Sequence, residues 1–184
     1  PWRSNSACQA VRLWSFNVPL PPGILASMPR RELYRPAQIA EWLDSWGRAL
    51  REPGSLVLIG SGGLLWHAHE RGVTTPLPEH SMDVDPVTGS EAVARLGYEA
   101  TIGSEFELKH GWHVNLMPAE ALKALPRAWR SRASRRRYGK LSVTIPAPAD
   151  LLSPKLKRGE ARDRKHAAWA RRAGLLSSHK ASLQ

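Results

Sequence analysis

The sequence predicts an α/β (α+β) fold, a small mixed sheet covered by helices. Three observations lead there. Segments of helical and of strand period alternate along the chain in the order α, β, α, β, α, β, β, α, β, α. The intervening helices differ in length, so few links read as the matched crossover units of a regular parallel sheet. The 184 residues are 42% apolar and 23% charged, which suits a soluble domain with a real core.

Residues 1–27 show no sustained period and hold several prolines, so they are expected to be a disordered or non-native N-terminal extension. Met28 precedes a sensible start, and residues 28–176 are expected to form a single domain. Residues 36–50 read as an amphipathic helix: Pro36 suits the first turn, and Ile39, Trp42, Leu43, Trp46 and Leu50 recur at helical spacing. The apolar run at 56–59 is a short buried strand. It runs into Gly60-Ser61-Gly62-Gly63, after which 62–70 reads as a helix closed by Gly72. A proline-bearing loop at 74–79 leads to a strand at 81–87, "SMDVDPV", and a helix at 90–96. Residues 106–108 lead to a turn at His110-Gly111, then a strand spans 112–117 and a helix spans 119–130. A strand at 141–145 precedes a helix capped by Asp150, restarting at Pro154 and running to about residue 176. Residues 177–184 are expected to be a flexible tail.

Charge narrows the function. Lys and Arg number 27 against 16 Asp and Glu, a formal +11, which favours a polyanionic partner such as nucleic acid. Residues 127–140 hold seven basic side chains and no acid, and Arg130, Arg132, Arg135, Arg136 and Arg137 are candidates for binding RNA phosphates on a solvated face. Acids concentrate instead between positions 79 and 107. The one cysteine, Cys8, excludes a disulfide framework and a cysteine zinc site, and suits a cytoplasmic location. No apolar stretch approaches the roughly 20 residues of a membrane span, so no membrane partner is expected.

Asp83 and Asp85 lie two apart on a predicted strand, so both carboxylates share one face. Paired carboxylates repel unless a cation lies between them, and Mg²⁺ takes one or two carboxylates plus phosphate oxygens. The preceding glycine turn opens a helix whose N-terminal amides can approach phosphate. It is neither a P-loop, since no GK[ST] follows, nor a dinucleotide fingerprint, since Leu65 stands where the third glycine belongs. His67 and His69, two apart on a helix, point to different sides and share no metal. His113 lies on the strand face of Asn115 and can approach the site. Trp42, Trp46, Trp66, Trp129 and Trp169 lie on apolar helix faces and are expected in the core.

On these motifs the stretch 56–176 resembles the nucleotidyltransferase superfamily, the polymerase-beta-like palm fold, and within it the small prokaryotic toxin–antitoxin or AbiEii-like group. The resemblance rests on Gly60-Ser61-Gly62-Gly63, Asp83-Val84-Asp85, "GWHVNLMP" at 111–118, and "ADLLSPKLKRGEARDRKH" at 149–166, where Asp150, Lys155-Leu156, Arg158, Arg162 and Asp163 match. It implies a palm-type sheet and Mg²⁺-dependent transfer of a nucleoside monophosphate from an NTP to RNA, tRNA among the candidates, or to a protein. It implies phage defence or a cognate antitoxin partner. Gly60, Ser61, Gly62 and Gly63 would hold the triphosphate, Asp83 and Asp85 the metal, and Lys155 would reach phosphate. One departure matters: Asn115 stands where the family's third carboxylate usually lies. It carries no charge and cannot act as a base. Either Glu105 or Glu107 substitutes, or one metal suffices, or the domain is a catalytically inactive module that binds nucleotide or nucleic acid.

Overall fold

The computed structural model describes residues 33–79 and 81–176. The expectations for 1–27, for a start at Met28 and for 177–184 fall outside them. The described chain is a mixed α/β structure: α1 Pro36–Ala49, β1 Gly54–Ile59, α2 Gly60–Glu70, β2 Asp83–Val87, α3 Glu91–Glu99, α4 Glu105–His110, β3 His113–Val114, a 3-10 turn Ala119–Ala124, α5 Trp129–Arg132, β4 Ser134–Tyr138, β5 Leu141–Ile145, α6 Pro148–Arg158 and α7 Ala161–Arg172.

The strands form an open sheet in the order β3-β2-β1-β5-β4. Pairs β1–β2 and β4–β5 are antiparallel, and β1–β5 and β2–β3 are parallel. Alternation along the central strands decides which face is covered. Leu56, Leu58, Leu141, Val143 and Ile145 are buried, whereas Ser55 and Ser142 next to them are exposed. Helices α1, α2 and α3 pack on the apolar face, α6 stacks on α2, and α7 on α6. Helix α1 buries the expected Ile39, Trp42, Leu43 and Trp46. Its entry is held by the Gln38 side chain, whose Oε1 accepts from the Arg35 N–H at 2.7 Å. All five tryptophans expected in the core are there, none more than 5% exposed. Among the described residues no helix is long and apolar enough to cross a membrane.

Several boundaries differ from expectation. The strand at 81–87 begins at Asp83, and Ser81 instead bridges Leu33. The strand at 112–117 shortens to His113–Val114, with Met117 bridging Val87 separately. Residues 105–110 form a helix, because Ser104 caps it by accepting from the Glu107 N–H and Gly111 ends it in the left-handed region. The helix expected at 119–130 is a 3-10 turn and the short α5, separated at Pro126, which lacks the N–H a continuing helix needs. Part of the basic run beyond it forms edge strand β4, with Arg135, Arg136 and Arg137 exposed, turned into β5 through Gly139 at φ 53°. The C-terminal helix starts at Pro148 and breaks at the left-handed Gly159, not at Pro154. Asp150 therefore lies within the first turn of α6 rather than capping it.

Candidate functional site

The site assembles where β1 gives way to α2. The β1–β2 register pairs Ile59 with Asp85, so the carboxylate lies beside the next residue, Gly60. Gly60 has φ 68°, and a Cβ there would lie 2.4 Å from Asp85 Oδ2. Gly62 and Gly63 answer a different need. Cβ atoms on them would meet Leu58, Val84 and Leu151, within 2.8–3.3 Å. The close stacking of α2 on the sheet and on α6 thus explains these two glycines without any ligand.

Around Gly60 opens a cavity of about 400 Å³, lined by Ser61, Asp83, Asp85, Lys155, Arg158 and Arg162, with Met117, Ala121 and Leu125 on one wall. Of the glycine turn, only Gly60 and Ser61 reach it. Asp83 and Asp85 share the face of β2, as their spacing requires. Ser81 Oγ donates to Asp83 Oδ1 at 2.9 Å, and Asn115 Nδ2 donates to Asp85 Oδ1 at 3.0 Å. Burial, then repulsion from Asp83, pushes the Asp85 carboxyl up from 3.8 to about 6, against the pull of the Asn115 hydrogen bond.

Opposite the carboxylates stands Lys155, with 8% of its surface exposed. Its Nζ donates to Ser61 Oγ at 3.3 Å and lies 3.6 Å from Asp163 Oδ1. Burial draws the Lys155 ammonium below its ordinary value, and the Asp163 charge opposes that. Asp163 is fully buried and also accepts two bonds of 2.9 Å from the Arg158 guanidinium. Burial alone would raise its carboxyl, but those bonds and Lys155 hold it below the ordinary range. Asp163 thus anchors the cationic wall of the cavity. Sequence reading had matched Arg158, Arg162 and Asp163 to the C-terminal motif without giving them site roles. The break at Gly159 hid their convergence, since a continuous helix would have spread them differently.

Neither Glu105 nor Glu107 joins Asp83 and Asp85. Glu107 faces His113 Nδ1 at 2.9 Å and accepts from the Gly103 N–H at 2.6 Å. Glu105 borders another cavity, beside Leu96 and Phe106. His113 pairs with Asp83 across the β2–β3 ladder, so it does lie beside the acidic strand. Among the described residues no three His, Cys, Asp or Glu side chains gather around one point. The donor set is two hard carboxylates with cationic side chains opposite, short of the charge that the raised Asp85 carboxyl would welcome. That set fits Mg²⁺ completed by phosphate oxygens and water. His67 is buried with Nε2 at 2.9 Å from the Pro146 carbonyl, while His69 is exposed, so the two do not converge. A larger cavity of about 560 Å³ lies between α1 and α4, where packed rings, Trp42 on Trp46 at 4.6 Å, stand beside polar side chains such as Arg35, Glu41 and Lys109, with no facing carboxylate pair.

The basic cluster divides. Arg132 makes a two-pronged pair with the buried Asp150, at 2.6 and 3.1 Å. Arg136 pairs with Glu70 at 2.8 Å on the helix-covered side, and Arg130 lies over the Trp129 ring at 4.8 Å. Arg137 donates through Nε to the Gly139 carbonyl, and Arg135 is exposed with no side-chain bond among the described residues. Set against known proteins, the chain matches no family model, no curated protein and no solved structure.

Proposed function

We propose that this chain is a Mg²⁺-dependent nucleotidyltransferase that moves a nucleoside monophosphate from an NTP to an acceptor, RNA (tRNA included) or protein. A cytoplasmic toxin–antitoxin or phage-defence setting, with a cognate antitoxin, completes the reading. One observation carries it: two carboxylates on one strand face a buried lysine and two arginines across a cavity floored by the start of a helix.

Each group has a task in that chemistry. Ser61 and the first amides of α2 offer donors to phosphate, where the helix N-terminus favours negative charge. Lys155, Arg158 and Arg162 balance the triphosphate. Asp83 and Asp85 would hold the metal, which when bound polarises phosphate oxygens. In the transfer an acceptor hydroxyl oxygen would bond the α-phosphorus and give its proton to solvent water, while the bond from the α-phosphorus to the bridging oxygen breaks and pyrophosphate leaves. Asn115 positions Asp85 through its amide and takes no proton.

Asn115 also favours a second reading, a module that binds nucleotide without turning it over. The test is incubation with each α-labelled NTP, Mg²⁺, and total tRNA or lysate, beside an Asp83→Asn/Asp85→Asn variant. Label on RNA or protein that disappears in the variant is the expected result. Mg²⁺-dependent NTP binding without transfer favours the inactive module, and neither binding nor transfer sinks both readings.

A further inference from the structure

We infer that the sheet face opposite the helices is the track for a single-stranded RNA acceptor, gripped by Arg135 and Arg137 and leading to Asp85. The inference rests on the transferase reading and names where its acceptor lies.

The argument starts from the pleat. Ser134, Arg136 and Tyr138 pair with Ile145, Val143 and Leu141, whose side chains are buried under the helices. Arg135 and Arg137 pair with Thr144 and Ser142, so period two sends them to the other face. The β5–β1 register continues those rows through Thr144 to Val57 and through Ser142 to Ser55, and the next strand carries Asp85 beside Ile59. One face of one sheet therefore carries two arginines at its edge, hydroxyls across its middle and the carboxylate cavity beyond. Three strand spacings separate β4 from β2, about 14 Å, the reach of a few unpaired nucleotides.

The chemistry of this face selects the partner. Its exposed positions are Arg135, Arg137, Ser55 and Ser142, groups suited to phosphates and ribose hydroxyls. Its apolar centre is confined to the half-buried Val57 and Ile59, small for a protein-docking patch. No aromatic side chain belongs to these rows, so bases are not stacked there and recognition is through the backbone. A cavity of about 400 Å³ accepts the end of one strand, not a duplex. Of the other arginines, Arg132 is committed to Asp150, Arg136 to Glu70, and Arg130 lies over the Trp129 ring.

The test is fluorescence anisotropy of a labelled oligouridylate with the full chain, its Arg135→Ala/Arg137→Ala variant, and Arg136→Ala. Mg²⁺-dependent NTP binding is measured in parallel. The double variant should lose at least about tenfold in RNA affinity. Its salt dependence should drop by about 1.4 in slope, two contacts at about 0.7 each for single strands. NTP binding should stay within about twofold, and Arg136→Ala should keep RNA affinity within about twofold. Unchanged RNA affinity in the double variant, equal loss in Arg136→Ala, or an RNA-silent wild type that labels only protein each overturns the track. Loss of NTP binding in the wild type would instead sink the transferase reading, which keeps the two failures distinct.

Discussion

Strands β2 and β4 carry the two opposite charge clusters of the sheet, and they treat charge in opposite ways. On β2, Asp83 and Asp85 are held partly buried beside each other, and the nearest described cation wall belongs to other elements, α6 and α7. On β4, an edge strand, the arginines alternate across the sheet, and Arg136 on the helix side is paired with Glu70 while Arg135 and Arg137 face water. Low dielectric and crowding make the β2 charges expensive and therefore responsive to a ligand. Solvent makes the β4 charges cheap and additive. Across the cavity from Asp83 and Asp85 stands Lys155, itself paired with the buried Asp163.

That contrast ranks the expected effects. Asp163→Ala should be the most damaging, because it strands Lys155 and Arg158 at the cavity wall. Breaking a buried pair from one side costs about 3–5 kcal/mol, read as a fall in the urea midpoint. A midpoint close to wild type would erase the distinction between the clusters. Asp85→Asn should act in the other sense. The folded carboxyl at about 6 lies above its ordinary 3.8, so the native state binds more protons than the unfolded chain between those values. Stability therefore falls as pH rises from about 4 to about 6 and stays lower above that. The variant should gain up to about 3 kcal/mol at pH 8, two units at about 1.4 each, and flatten that slope. Added Mg²⁺ should stabilise the wild type and leave the variant unmoved. Denaturation at several pH values checks both.

The remaining effects are smaller. Asp150→Ala removes a buried acceptor whose partner Arg132 can return to water, so the expected loss is about 1–2 kcal/mol by urea denaturation. Arg136→Ala, at an exposed pair with Glu70, should leave the melting temperature unchanged within error. A large drop there would mean that β4 is held by its charges rather than by its pairing with β5.

Much of the frame could be read in advance, and the misses share a cause. The helix at 36–50 and the strand at 141–145 carry clean periods, and the run at 56–59 is short and wholly apolar, so local pattern and packing agree. The strand β4 carries no apolar alternation, since its covering comes from Tyr138 and from β5, and nothing in "SRRRY" announces a ladder. Helix α4 has no buried residue, so its period was faint, and only the Ser104 cap and Gly111 mark it. In the site, the shared face of Asp83 and Asp85 followed from spacing alone. The meanings of the glycines did not: Gly60 answers to Asp85, and Gly62 and Gly63 to Leu58, Val84 and Leu151.

By itself the sequence determined the alternation of helices and strands, the pairing of two carboxylates on one face and the basic excess, because these depend on residue types within a few positions of each other. Only the tertiary structure decided that Lys155 reaches Ser61 across 94 positions, that Asn115 spends its amide on Asp85, and that Arg135 and Arg137 part from Arg136. Those outcomes follow from strand register and from the break at Gly159. A shift of one residue in the strand register would send the same side chains to the other face, and no local pattern records which register wins.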